Sequence, residues 1–463
     1  MSLGPEFDQP PGGSLRRLDA AVTRGQGQLF RVLWFAVPPG SVARDIHFQE
    51  LMVARFGADL ALQALYYAAL IASARSGDSA FHAAAIGVAF LLPGLLLGPY
   101  GGAVADAMPK RVALFATYLA MGALALLVPT ATGTGFWAIV LTLFLVRVLH
   151  QVTQPAEAAA APLVASQAEL ASANSFLSLA SSVGEVVGKA LLAPGVVRYW
   201  GLRPVTAIAG LTFMFSALRV VRFRPERDSH GHFDRRAVRR LGIGEAVKWL
   251  LDEPGAIWML LLAAMASTVN VVLGTLGPQY VKQVLEVDPT FTFYVFAPAS
   301  LGVVAGLALS PLAIRLAGER AVAIGGFIAV SLSIMALGQV KRLAEWFDWL
   351  LIVDIPRVGP EVEVAASISL VVGAGITIAA AATQTYVGKY VPVAIHGRVF
   401  ALMGALKDGL AIPPLLVLGA LSGTTGVGAV LTLAPVLLLV AAYVLVRLST
   451  AWHGRLPRSR VLP

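Results

Sequence analysis

Apolar runs of about 20 residues recur along the whole of this chain, and a run of that length crosses the hydrocarbon core of a bilayer as one helix. Their hydropathy, with the Gly, Pro and charged residues between them, predicts spans at about 50–73, 81–104, 112–132, 135–156, 172–196, 203–222, 254–277, 291–315, 320–340, 364–388, 396–420 and 426–448. Twelve such spans take up about 240 of the 463 residues. The rest suffices for loops and one longer connection, not for a large soluble domain. Charged residues make up 13% of the chain, where soluble proteins average about 25%, and mean hydropathy is +0.76. A disordered chain is excluded, and a soluble globular enzyme could not cover its surface with so few charges. There is no Cys, which excludes disulfides, thiolate metal sites and Cys nucleophiles.

The balance of 35 Lys+Arg against 26 Asp+Glu gives a net charge of +9. In a membrane chain this points to loop topology and not to nucleic acid, because Lys and Arg collect on the cytoplasmic side. With the N-terminus inside, 23 basic residues fall in cytoplasmic segments and 7 on the opposite side. The expectation is a multi-pass protein of the plasma (inner) membrane with both termini cytoplasmic. The N-terminus is polar and has no charged-then-apolar secretory signal. Residues 1–49 read as a cytoplasmic extension that could meet a protein partner. Its stretch from about 14 to 37 mixes Arg16, Arg17, Arg24 and Arg31 with Leu29, Phe30, Leu33, Trp34 and Phe35, as an amphipathic helix lying on the membrane surface does. Residues 223–253 form the most polar stretch and split the spans six and six. The expected organisation is therefore an N-terminal half (50–222), a linker (223–253), a C-terminal half (254–448) and a tail (449–463). A long outer loop at about 341–363 carries Trp346, Phe347 and Trp349, which suit an interfacial aromatic belt or a lid.

Between the second and third spans the chain reads Gly98-Pro99-Tyr100-Gly101-Gly102-Ala103-Val104-Ala105-Asp106-Ala107-Met108-Pro109-Lys110-Arg111. This resembles the loop motif of the major facilitator superfamily: Gly102, Asp106, Lys110 and Arg111 fit it, and Ala107 and Pro109 depart from it. Phe56-Gly57-Ala58-Asp59, the Leu170–Ser175 stretch, the Gly242–Pro254 linker helix and Gly397-Arg398-Val399-Phe400 are similar to stretches of its drug- and siderophore-exporting branch. The resemblance implies an all-α integral membrane fold of twelve helices in two six-helix halves. It also implies alternating access without a cofactor, proton-coupled export of an amphipathic organic molecule, and a conformational latch at Gly102, Asp106, Lys110 and Arg111. No Gly-x4-Gly-Lys-Ser/Thr loop is present, so ATP is not the direct energy source.

A charge inside a span costs about 2.5–3.5 kcal/mol on insertion scales and is a functional hypothesis by default. Arg55 and Asp59 stand four apart on one helical face and can pair. In related exporters a first-span acid binds the exchanged proton, which makes Asp59 the leading proton site; a static pair is the alternative. Arg147, with His150, Gln151 and Gln154, lies in the fourth span, where the family's coupling Arg often sits; an Arg snorkelling to the interface or satisfying a carbonyl would look the same. Glu185 and Lys189 intrude at i,i+4 spacing in the fifth span, as a structural pair, a headgroup site or a second proton site. Lys407 and Asp408 are adjacent in the eleventh span, so at least one should meet another helix, with Glu185 or the Asp106 loop as the expected partner. Pro413-Pro414 after them are expected to interrupt it. Asn270, Gln279, Gln384 and Tyr386 could line a cavity or bond helix to helix. Two rivals to export stand: transport of a lipid or lysolipid, whose zwitterionic headgroup would suit the paired charges, and a non-transporting subunit of a larger complex.

Overall fold

The computed structural model describes residues 42–76, 80–106, 108–133, 135–165, 169–223, 254–347, 359–390 and 396–453. The amphipathic stretch at 14–37, nearly all of the 223–253 linker, Trp349 and the tail beyond 453 lie outside them. A 3-10 turn, Val42–Arg44, leads into α1 (Ile46–Arg75). Asp45 caps α1: its carboxylate accepts the Phe48 N–H at 2.9 Å. Then come α2 (Ala80–Asp106), α3 (Lys110–Thr132) and α4 (Phe136–Val164). The fifth span is composite: α5 (Leu170–Val186), a π-helical turn (Val187–Leu192) and α6 (Ala193–Trp200). The first half closes with α7 (Leu202–Arg222). The second half runs α8 (Pro254–Gln283), a 3-10 turn (Pro289–Thr292), α9 (Phe293–Gly338), α10 (Val340–Phe347), α11 (Pro360–Tyr390), α12 (His396–Thr425) and α13 (Val427–His453). No strand occurs among the described residues. Gly318, at φ 79° and ψ 160°, breaks α9 into two antiparallel spans, a conformation that costs a glycine little. Nine helices among the described residues are long and apolar enough to cross a membrane, the broken α9 counted once; with α9 as two crossings, and with α8 and α13, the pattern accommodates twelve, six on each side of the linker.

Two sequence expectations change. The fourth span, expected to end at about 156, continues as helix through the alanines that follow, α4 running to Val164. Alanine is the best helix former, and at membrane depth an unwound backbone has no water to satisfy it. For the same reason Pro413-Pro414 do not interrupt α12, which passes through both. An apolar cavity of about 400 Å³ lies beside them, lined by Thr268, Val272, Pro414, Leu418, Leu431 and Leu438 among others.

Within lipid, helices associate by close packing of small residues and by interhelical hydrogen bonds. Helix α1 forms the centre of the first half, with most of its residues buried. A Cβ at Gly184 would lie 2.5 Å from the Phe56 carbonyl oxygen, and one at Gly188 would lie 2.4 Å from that of Leu60. The two glycines therefore let the fifth span press its backbone onto α1. The π-helical turn begins beside this contact. Pro194, just beyond it, has no N–H to give to Ala190, and the ladder widens there.

The halves meet along one side of the membrane. Tyr66 of α1 and Thr275 of α8 share a hydrogen bond of 2.6 Å between their hydroxyls. Lys282 Nζ donates to the Ala74 carbonyl at 2.5 Å, and Arg75 pairs with Asp288 at 3.1 Å. The Arg198 guanidinium lies 4.7 Å from the centre of the Phe291 ring. The opposite face carries Lys110 and Arg320, and α2 and α12 approach it from the two halves. These helices touch where Gly94 meets Asp408; one turn nearer the Lys110 face they have parted. A Cβ at Gly98 would meet only Gln151 of its own half, and one at Gly404 would meet nothing within 4 Å.

Candidate functional site

A chain of polar side chains crosses the first half and ends on the second, at the depth where α2 and α12 part. It begins with Tyr118 of α3, fully buried, whose hydroxyl donates to Glu157 Oε1 of α4. Glu157 Oε2 faces Arg55 Nε of α1 at 3.3 Å. The same Nε lies 3.9 Å from Asp59 Oδ2, one turn along α1. Asp59 Oδ1 faces His150 Nε2 of α4 at 3.6 Å, and His150 Nδ1 faces Arg147 NH1 at 2.9 Å. Arg147 NH2 reaches Asp408 Oδ2 of α12 at 3.8 Å. The guanidinium is held further by its Nε–H, which donates to the Phe90 carbonyl at 3.1 Å, and by the Phe90 ring 4.5 Å away. Since a guanidinium only donates, His150 Nδ1 must accept, which assigns the neutral Nε2–H tautomer with its proton aimed at Asp59.

Four side-chain charges of one half, Glu157, Arg55, Asp59 and Arg147, are thereby linked to one charge of the other. The link between halves depends on Gly94 of α2, where a Cβ would stand 1.9 Å from Asp408 Oδ2. Lys407, beside Asp408 in sequence, is exposed.

The second charge pair stands on the composite fifth span. Lys189 Nζ donates to Glu185 Oε1 at 2.9 Å and lies 5.9 Å from the centre of the Tyr67 ring. Lys189 sits in the π-helical turn, a feature frequent at functional sites. The Glu185 carboxylate keeps 42% of its side-chain surface exposed. Arg147–Asp408 and Glu185–Lys189 are thus two ion pairs, each also packed on an aromatic ring.

The remaining candidates are dispersed. Gln151 is buried, and its Nε2 lies 3.5 Å from the Arg147 carbonyl. Gln154, Asn270 and Gln384 are exposed and stand apart from the charge network. Gln279 is buried and lies 3.5 Å from Gln283 Nε2. Tyr386 accepts from Arg320 at 3.3 Å near the Lys110 face. Of the loop motif, Lys110 Nζ donates to the Ala105 carbonyl at 2.7 Å and Arg111 NH2 to the Val221 carbonyl at 2.5 Å. Both cations thus bond carbonyls in the last turns of α2 and α7, where a cation is favoured. The side chains of Gly102 and Asp106 lie outside the described ones.

Three buried charges had gone unread. Glu50 and Arg219 form a pair at 2.5 Å between α1 and α7. Glu157 is 3% exposed and belongs to the network itself. A signal for Glu157 was present: it follows His150 by seven residues, two helical turns, so both share one face of α4. It fell just beyond the expected end of the fourth span.

A model of the Major Facilitator Superfamily matches residues 29–412. No curated protein matches the sequence significantly. Among solved structures, the nucleoside transporter NupG (D323A mutant) superposes with a TM-score of 0.67 at 12% identity, over 87% of this chain and 99% of that one. A bacterial homologue of the iron transporter ferroportin, inward-facing, gives 0.63 at 14% identity over 87% and 98%. A bacterial homologue of the human lysosomal transporter Spinster, inward-facing and unoccupied, gives 0.67 at 14% identity over 90% and 100%. These likenesses agree on the fold, and the matched family covers most of the chain: it belongs to the Major Facilitator Superfamily, a family of membrane transporters.

Proposed function

We propose that the chain is a proton-coupled secondary transporter that exports an amphipathic organic small molecule by alternating access, in the manner of the superfamily's drug- and siderophore-exporting branch. The observation that carries this reading is the continuous polar chain from Asp59 through His150 and Arg147 to Asp408. It ties a titratable carboxylate in one half to a charge on the other, so binding a proton at Asp59 changes the interactions that hold the halves together. A ligand shifts a conformational equilibrium only by its differential affinity for the two states. The asymmetry of the basic residues supports a Lys110 face turned to the cytoplasm of a plasma (inner) membrane; in this reading the chain is inward-open, its outer side closed by Arg75–Asp288 and Tyr66–Thr275.

In this reading Asp59 is the proton carrier, and Arg55, Arg147 and Glu185 tune it. His150, Gln151, Lys189, Lys407 and Asp408 face or flank the substrate path. Gly102, Asp106, Lys110 and Arg111 form the latch on the cytoplasmic side. A lipid-like substrate is the second reading, favoured by the apolar cavity among α8, α9, α12 and α13, where Val417 and Leu437 are exposed. A protein partner would engage residues 1–49, most of which lie outside the described residues.

The test is a proteoliposome with a trapped pH indicator and an imposed proton gradient, screened against amphipathic cations, anions and zwitterions. An active compound should dissipate the gradient with the wild-type chain and not with Asp59→Asn. A compound that is transported without moving protons, or with equal proton flux in Asp59→Asn, would contradict the coupling.

A further inference from the structure

We infer that Glu157 is a second proton-carrying carboxylate, and that the transported proton is held by the Asp59–Glu157 pair across Arg55, not by Asp59 alone. This rests on the proton-coupling reading above and adds a residue and a stoichiometry to it.

The geometry supplies the pair. One guanidinium nitrogen, Arg55 Nε, stands between two carboxylates, at 3.3 Å from Glu157 and 3.9 Å from Asp59. It cannot bond both well at once. Glu157 is sealed from water and also accepts the Tyr118 hydroxyl. Asp59 is the more exposed member, at 15% of its side-chain surface against 4% for Glu157. Arg55 therefore leans to Glu157 while Asp59 holds the proton, and returns to its own-helix partner when the proton leaves the Asp59 oxygen for water. Either carboxylate alone would be an ordinary ion pair; two of them on one guanidinium make an exchange site.

The charge count supplies the stoichiometry. The groups facing the pair are Arg55 on α1, Tyr118 on α3, and Arg147 and His150 on α4, with Asp408 on α12 behind Arg147. His150 is neutral by its tautomer, and Tyr118 is a neutral donor. Glu185 and Lys189 on the fifth span neutralise each other, and Lys407, with an exposed side chain, neighbours Asp408 and not the pair. Three carboxylates thus face two guanidiniums, leaving one negative charge in excess. An uncompensated buried charge is expensive, and such a group neutralises by binding a proton. The cluster takes one proton, and because the two acids are coupled, that proton belongs to the pair.

Infrared absorption of the protonated carboxyl C=O stretch tests this directly, without a known substrate. The full chain is reconstituted in lipid nanodiscs at neutral pH, and wild-type-minus-variant spectra are recorded. Asp59→Asn and Glu157→Gln should each remove the same acid band completely, because either leaves two carboxylates facing two guanidiniums. Arg55→Gln should raise the acid signal about twofold, since three carboxylates then face one guanidinium and bind two protons; this variant keeps Glu157 and tests the count independently of how Glu157→Gln folds. A band lost in Asp59→Asn that survives Glu157→Gln, or an unchanged band in Arg55→Gln, overturns the shared site and leaves Asp59 as sole carrier. A band that survives Asp59→Asn and vanishes only with Glu157→Gln overturns the sharing and moves the proton off Asp59. If the wild type has no band that either variant removes, the shared site and the proton-coupling reading fall together.

Discussion

At the scale of single residues, the site depends on one missing methyl group as much as on its charges. Asp408 reaches Arg147 through the space left by Gly94, and a Cβ there would overlap its carboxylate oxygen. Asp is too short to swing aside and keep the contact. Gly94→Ala should therefore detach Asp408 from Arg147, with an overpacking cost of about 1–3 kcal/mol. A fall in transport of about tenfold or more is expected, measured as gradient dissipation by the compound the screen identifies. Gly98→Ala, one turn away, where a Cβ would make only an ordinary van der Waals contact with Gln151, should leave transport near wild type. The charges of the site were half legible in the sequence. Arg55, Asp59, Arg147, His150 and Asp408 announce themselves because a polar group within an apolar run needs a reason. Glu157 did not, because Pro155 and the alanines after it imitate the end of a span. Tyr118 and Phe90 carry no signal at all, since an aromatic in an apolar helix is ordinary until its partner is known.

At the scale of elements, the fifth span and the outer closure each make a prediction. The backbone contact of Gly188 with Leu60 leaves a Cβ only 2.4 Å from a carbonyl oxygen and 3.1 Å from the Ala64 nitrogen. Neither is the tip of a flexible side chain. Gly188→Ala should destabilise the protein by about 1–3 kcal/mol, read as a lower Tm of the detergent-solubilised chain; an unchanged Tm would contradict the close packing of α1 on the fifth span. At the Arg75–Asp288 closure, Asp288 lies in a loop. Its partial burial pushes its carboxyl up, but the Thr290 hydroxyl and amide and the Arg75 guanidinium outweigh this and hold it below the usual carboxylate range. A depressed value means that the contribution to closure is present above the ordinary carboxyl range, near pH 4, and is lost as pH falls through the depressed value. The chain has no Cys, so spin labels at Ser76→Cys and Glu345→Cys report this face without background. Asp288→Asn should lengthen that distance at neutral pH, and strong acid should do so in the wild type. A distance unchanged by the substitution would remove Arg75–Asp288 from the closure. Hydropathy carried the element scale well, including the Leu316–Arg320 break, because length and polarity alone decide what can cross a bilayer. The π-helical turn was not readable, since Pro194 alone does not say whether the ladder kinks or widens and the packing of Gly188 on α1 lies outside local propensity.

At the scale of the whole molecule, the structure is a two-half transporter closed near Arg75 and Asp288 and open near Lys110, with its charges strung between the halves. That arrangement could not be read from the chain, because the Arg147–Asp408 contact joins residues of opposite halves and exists only once α2 and α12 have packed. The central claim is that proton binding at Asp59 sets which face is open. It is tested most directly by measuring spin-label distances on both faces at once, with Val112→Cys and Ala317→Cys on the Lys110 face and Ser76→Cys and Glu345→Cys on the other, across a pH series in lipid. The account predicts reciprocal, pH-dependent populations in the wild type, long on one face when short on the other, and a single pH-independent population in Asp59→Asn. Populations that ignore pH in the wild type, or an Asp59→Asn protein that responds as the wild type does, would contradict it.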